Sequence, residues 1–111
     1  MAELIQQYRA RYKNAQGRSY AVRAYAEEGR GGIWIGWLQF HPVAGRGAVL
    51  RTGPETSQPT RVTLEYWASG LEPLYFEGAF ERARDRAARA RRSLKSKRSR
   101  APRRGRTTRT R

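Results

Sequence analysis

Two periodicities divide the chain. Between Ser19 and Glu28 apolar and polar residues alternate, with Tyr20, Val22, Ala24 and Ala26 on one face of an extended strand and Ser19, Arg23, Tyr25 and Glu27 on the other. The run Ile33 to His41 is rich in β-branched and aromatic residues and stops at Pro42. Both of its faces are apolar, Trp34, Leu38 and Phe40 on one and Ile33, Ile35 and Trp37 on the other. This predicts a central strand covered on both sides, or one that keeps an aromatic patch for a partner. Glu28-Gly29-Arg30-Gly31-Gly32 suits the hairpin turn between the two strands. Ala44-Gly45-Arg46-Gly47 forms a second turn and Ala48 to Thr52 a third short strand, closing an antiparallel meander.

The other periodicity is helical. Leu4, Ile5, Tyr8 and Tyr12 recur at spacings of three and four, which predicts a short amphipathic helix over 3–12, followed by a linker to Gly17. After the polar segment Gly53 to Gln58, Ser57 is the expected cap and Pro59 lies in the first turn of a helix whose apolar face is Leu64, Trp67, Ala68 and Leu71, closed by Gly70. A second helix begins at Glu72-Pro73 and carries the stripe Phe76, Ala79, Phe80, Ala83 and Ala87. Beyond Arg82 the stripe thins to alanine while arginine takes the other faces, and the helix is expected to fray between Ala90 and Leu94. The fold class is therefore α+β: a three-stranded antiparallel sheet followed by two C-terminal helices, with a disordered basic tail. Its parts are an N-terminal helix and linker (1–17), a small α+β domain (18–81), a basic helix extension (82–93) and the tail (94–111).

Charge changes this picture at one place. Arg82 to Arg111 holds 15 Lys or Arg residues against the single acid Asp85, whereas residues 1–81 hold 9 basic residues and 8 acids. A nearly neutral domain thus carries a dense cationic arm. Such a run has little to bury and repels itself, so its natural partner is a polyanion. Nucleic acid is the commonest, with one negative charge per about 1.7 Å of duplex. If about 6 to 10 of the cations sat on phosphates, affinity would fall on the order of 1,000- to 100,000-fold between 50 and 200 mM salt. The cations expected to bind are Arg82, Arg86, Arg89, Arg91, Arg92, Lys95, Lys97, Arg98, Arg100, Arg103, Arg104, Arg106 and Arg109.

Enzymatic chemistry finds no footing in the sequence. The chain has no cysteine, and its one histidine, His41, has no second histidine with which to share a metal. Glu27 and Glu28 are adjacent, so in a strand they point to opposite faces and cannot form a dyad. The glycine clusters lack the spacing of phosphate-binding loops. No enzyme activity, cofactor or small-molecule substrate is expected. Met1-Ala2-Glu3-Leu4 does not resemble the start of a signal peptide, and no window approaches the length of an apolar span, so a cytoplasmic location with the nucleic acid, in nucleoid or nucleus, is expected, and no membrane partner.

Aromatic residues interleave with arginines across the expected sheet: Tyr20, Tyr25, Trp34, Trp37 and Phe40 with Arg18, Arg23, Arg30, Arg46 and Arg51. Tyr25, Trp34 and Trp37 are the candidates for base stacking or for an interface, including a homodimer interface. In the arm, Pro102-Arg103-Arg104-Gly105-Arg106 resembles the AT-hook, with Thr107 where that family has proline. The resemblance implies arginine insertion into the narrow minor groove of A·T tracts. The expected helix-strand-strand-strand-helix order resembles the double-stranded RNA-binding domain, although the lysine-rich opening of that family's last helix is replaced here by Ser57-Gln58-Pro59-Thr60-Arg61. The expectation is a non-enzymatic nucleic-acid-binding protein, DNA favoured over RNA. An RNA- or ribosome-associated protein and a protein-interaction module with a localising tail are the alternatives.

Overall fold

The computed structural model describes residues 1–95, and beyond them only the course of the last helix. Five strands and two helices follow one another: β1 (Glu3–Lys13), β2 (Ser19–Glu28), β3 (Trp34–Pro42), β4 (Leu50–Arg51), β5 (Thr56–Gln58), α1 (Arg61–Ser69) and α2 (Pro73–Thr110). The α+β class, the antiparallel sheet and the two C-terminal helices are as the sequence predicts. The sheet is larger than the expected three strands, running β1-β2-β3-β4 with β5 also paired to β3.

The extra long strand is β1, where a helix was expected. Tyr8 and Tyr12 are four residues apart, a spacing that satisfies the period of a strand as well as that of a helix. In the fold they point to the same side, with Arg9 and Arg11 exposed between and beside them. Pairing with β2 decides the outcome, although the register slips twice, between Leu4 and Gln6 and between Gln7 and Arg11. Irregularities of this kind, together with Arg9, Arg11 and Lys13, protect an edge strand from pairing with another molecule. With a strand in this place, the order no longer matches that of the double-stranded RNA-binding domain.

β2 and β3 pair without a slip from Tyr20↔Pro42 to Glu28↔Trp34. Their connection is a single 3-10 turn, Arg30–Gly32, in which Gly31 and Gly32 take φ of 67° and 77°, left-handed values that favour glycine. Because directly opposed residues share a face, Tyr20, Val22, Ala24 and Ala26 align with Pro42, Phe40, Leu38 and Gly36. The two helices pack on this face. Phe76, Ala79, Phe80 and Ala83 of α2 and Ala68 of α1 close the core over Tyr20, Val22, Ala24, Leu38, Phe40 and Leu50. Gly36 lets α1 approach: a Cβ there would lie 3.1 Å from the side chains of Leu64, Thr56 and Trp67.

Helix α1 begins at Thr60, not Ser57. The Thr60 hydroxyl accepts from the Thr63 backbone N–H and the Thr63 hydroxyl accepts from that of Thr60, a reciprocal cap. Ser57 instead belongs to β5, opposite Ile35. Helix α2 opens on Pro73 as predicted and does not fray at Ala90 to Leu94: Ala, Arg, Leu and Lys are all strong helix formers and carry it through Lys95. The disordered tail expected over 94–111 therefore falls, beyond Lys95, outside the described residues. None of the described helices is long and apolar enough to cross a membrane.

Candidate nucleic-acid interface

The strand alternation that builds the core also fixes what the other side of the sheet presents. Opposite the helices, the β2–β3 register aligns Ala21 with His41, Arg23 with Gln39, Tyr25 with Trp37 and Glu27 with Ile35. On one flank β1 adds Leu4, Gln7, Arg11 and Lys13, opposite Tyr25, Arg23, Ala21 and Ser19. On the other, β4 adds Arg51 beside Gln39. Among the described residues no element covers this face.

An aromatic row runs across its centre. The Tyr25 ring lies nearly parallel to Trp37, with centroids 6.4 Å apart and planes at 15°, and to His41 at 6.2 Å and 23°. The Arg51 guanidinium sits 4.4 Å from the centre of the Trp37 ring. Trp37, with Tyr25 and Arg51 against its ring, is only 4% exposed, although it faces away from the core. A cation over a desolvated indole contributes about 2 kcal/mol, and about 0.5–1 kcal/mol when exposed.

Electrostatically the face is positive. Arg11, Lys13, Arg23 and Arg51 stand against Glu27. Burial and then the charge of Arg86 lower the pKa of the Arg51 guanidinium, with Glu27 acting in the opposite sense. Arg86 is exposed on α2 and lines a groove with Arg51, so the sheet face and the arginine stripe of α2 adjoin. His41 is pushed below the usual imidazole value by burial and then by Arg23, and its Nε2 lies 2.9 Å from Oε1 of Gln39.

The expected site residues separate in the structure. Tyr25 and Trp37 come together on the open face. Trp34 does not join them: it lies on the helix side at the end of β3, with the Arg61 guanidinium 5.6 Å from its ring. Its even number gives it the parity of Leu38 and Phe40 rather than that of Trp37. Arg82 is engaged within the fold, Nη2 donating to Oε1 of Glu55 at 2.7 Å, and the Tyr75 hydroxyl donates to the same carboxylate. Burial and this carboxylate push the Tyr75 hydroxyl up to about 12. The Glu55 cluster thus ties α2 to the β4–β5 loop.

Arg86 and Arg89 are exposed beside that loop, lining a groove with Gly53 and Pro54. Arg91 lies over the β1–β2 turn with Asn14 and Gln16, and Arg92 and Lys95 are exposed. Lys97, Arg98, Arg100, Arg103, Arg104, Arg106 and Arg109, with the AT-hook-like run, lie outside the described residues.

Comparison with known protein families, curated proteins and solved structures gave no match. The site is accordingly read from its own chemistry. No group of three or more His, Cys, Asp or Glu side chains that could hold a metal occurs among the described residues.

Sequence reasoning noticed Arg23 and Arg51 only as two arginines among five. The other three sit elsewhere, Arg18 and Arg30 at turns and Arg46 in the loop before β4. His41 it weighed only as a metal ligand without a second histidine. The signal that separates them is parity: once Tyr25 is placed opposite Trp37, Arg23 and His41 share their face by counting in twos.

Proposed function

We propose that this chain is a non-enzymatic nucleic-acid-binding protein, with DNA favoured over RNA, and that it remains with its nucleic acid in the cell. The observation that carries the reading is the placement of the charge. Fifteen basic residues follow residue 81 against one acid, and fourteen of them fall within α2, whose first turns are locked into the core by Phe76, Ala79, Phe80 and Ala83. Arg86, Arg89, Arg91, Arg92 and Lys95 are all exposed on that helix. A rigidly rooted cationic helix presents its charges as a set, so phosphate contact supplies affinity without sequence information.

The uncovered sheet face supports the same reading. Two copies docked face to face about a two-fold axis would bring the Arg11, Arg23 and Arg51 patch against its own equivalent, like charge against like charge. A polyanion suits this surface better than a second copy of the chain.

The test is a salt titration of binding by fluorescence anisotropy, on duplex DNA, single-stranded DNA and structured RNA. It compares the full chain with a chain ending at Lys95, which keeps every residue of the packed core. The full chain is expected to bind with a steep salt slope, and the shortened chain to lose about 0.9 of slope on duplex for each phosphate contact removed. Preference for structured RNA at equal salt would move the assignment to RNA. Absence of binding by the full chain at physiological salt would overturn the reading.

A further inference from the structure

Tryptophan on a sheet face that no element covers is normally exposed, and a buried indole N–H normally has an acceptor. Trp37 does neither. Its Nε1 is buried with no hydrogen-bond partner, the one such buried side-chain nitrogen or oxygen among the described residues. The group can only donate, so its missing partner is an acceptor. Against its ring stand Tyr25, half-buried, and the long side chain of Arg51, and neither belongs to the helix-side core.

We propose that the open face is a binding site for single-stranded nucleic acid: Tyr25 takes a base on its ring, Arg23 and Arg51 take flanking phosphates, and the Trp37 indole N–H takes an acceptor oxygen of the strand. The proposal rests on the nucleic-acid reading above and names the substrate class of its folded part. Arg51 is the moving piece. It lies over the Trp37 ring and faces the like charge of Arg86 across a shared groove. A phosphate arriving between the two arginines draws the Arg51 guanidinium off the indole, uncovering the ring edge and the N–H together.

The geometry favours a single strand. Aromatic rings laid across a flat sheet receive bases face to face, and a duplex keeps its base faces stacked inside and offers phosphates and groove edges. A duplex would meet only the arginines here. From the open face the Arg51–Arg86 pair leads to Arg89 on α2, so a strand bound at Tyr25 and Trp37 continues onto the helix that carries the arm.

The experiment uses the full chain and three variants, Tyr25→Leu, Trp37→Phe and Arg51→Gln, each checked by circular dichroism for a cooperative melt that begins above the temperature of the binding assay. Binding is measured by anisotropy to oligo-dT, oligo-U and a duplex of the same length. Tyr25→Leu is expected to weaken single-strand binding about five-fold or more, the effect of losing one stacked base. Trp37→Phe keeps an aromatic ring but removes the N–H donor together with the pyrrole half of the indole, and is expected to cost about two- to ten-fold on the single strands. Arg51→Gln lowers the single-strand salt slope by about 0.7. Duplex affinity stays within about two-fold for Tyr25→Leu and Trp37→Phe, which touch no phosphate. Oligo-dT and oligo-U differ in both the sugar and the base methyl, and oligo-dU, which shares its base with oligo-U, isolates the sugar the site prefers.

If the wild type binds both kinds of nucleic acid and all three variants match it, the site is overturned while the arm-based reading stands. Equal losses on duplex and single strand overturn it in the same way, as do variants that change self-association and leave oligonucleotide binding alone. A wild type that binds neither substrate overturns both readings. Should Trp37→Phe fail to fold, the two less buried positions still decide.

Discussion

The two faces of this sheet use the same kinds of side chain for opposite ends. On the helix side, Tyr8, Tyr12, Tyr20, Phe40, Phe76 and Phe80 pack ring against ring at centroid separations of 4.6 to 6.4 Å. Their polar tips reach the backbone: the Tyr8 hydroxyl donates to the Ala68 carbonyl at 2.7 Å, which pins α1 to β1. On the other side, Tyr25, Trp37 and His41 form a row whose cover is Arg51 rather than a helix. An aromatic surface is closed by apolar partners in the first case and by a cation in the second. The first closure is permanent, because opening it would expose the core. The second rests on one partly buried guanidinium whose contact with the ring contributes about 2 kcal/mol at most, a loss that a charge-assisted bond to a phosphate would offset.

The sharpest way to break this comparison is to truncate one residue on each side. Phe40→Ala removes a fully buried ring from the centre of the core and is expected to cost about 3–5 kcal/mol in urea unfolding, a large part of the stability of so small a domain. Tyr25→Leu on the open face should cost about 0.5–1.5 kcal/mol, the worth of an aromatic pair. If the Tyr25 loss equalled that of Phe40, the open face would be a second core and not a reversible surface.

The smallest effect is the most local. His41 is the single histidine, so its ring signal can be followed by NMR without assignment. Unfolded, it titrates near 6.5. In the fold, burial and then Arg23 lower that value. Between the two values the unfolded chain binds more protons than the folded one, so stability rises with pH through that window. It is lost as the pH falls from about 6.5 toward the folded value. The titration midpoint is expected below about 6.5, and Arg23→Gln should move it part of the way back. A midpoint at or above the unfolded value would mean that the face is less cationic and less closed than the structure has it.

Local chemistry was legible wherever a short stretch carries its own instruction. The β2–β3 hairpin follows from alternation and a glycine turn, the start of α2 from Pro73, and the inward stripe Phe76, Ala79, Phe80 and Ala83 from helical spacing. The division of charge at residue 81 was equally plain, since counting needs no structure. β1 was not legible, because a four-residue spacing of tyrosines fits two periods and only the free edge of β2 chooses between them. Nor was the fate of Arg82, which the sequence groups with the arm and the fold pairs with Glu55, 27 residues away. Nor, for the same reason, was it legible which of Trp34 and Trp37 would join Tyr25. Parity puts them on opposite faces, but which face the helices would cover depended on where α1 and α2 could bury their stripes. Gly36, by admitting Leu64 and Trp67 of α1 close against β3, settled that choice. The sequence by itself thus determined the class of fold and the cationic arm, because periodicity and charge are properties of neighbours along the chain. The tertiary structure alone decided which aromatic residues meet arginines, because that depends on strands and helices brought together from distant parts of it.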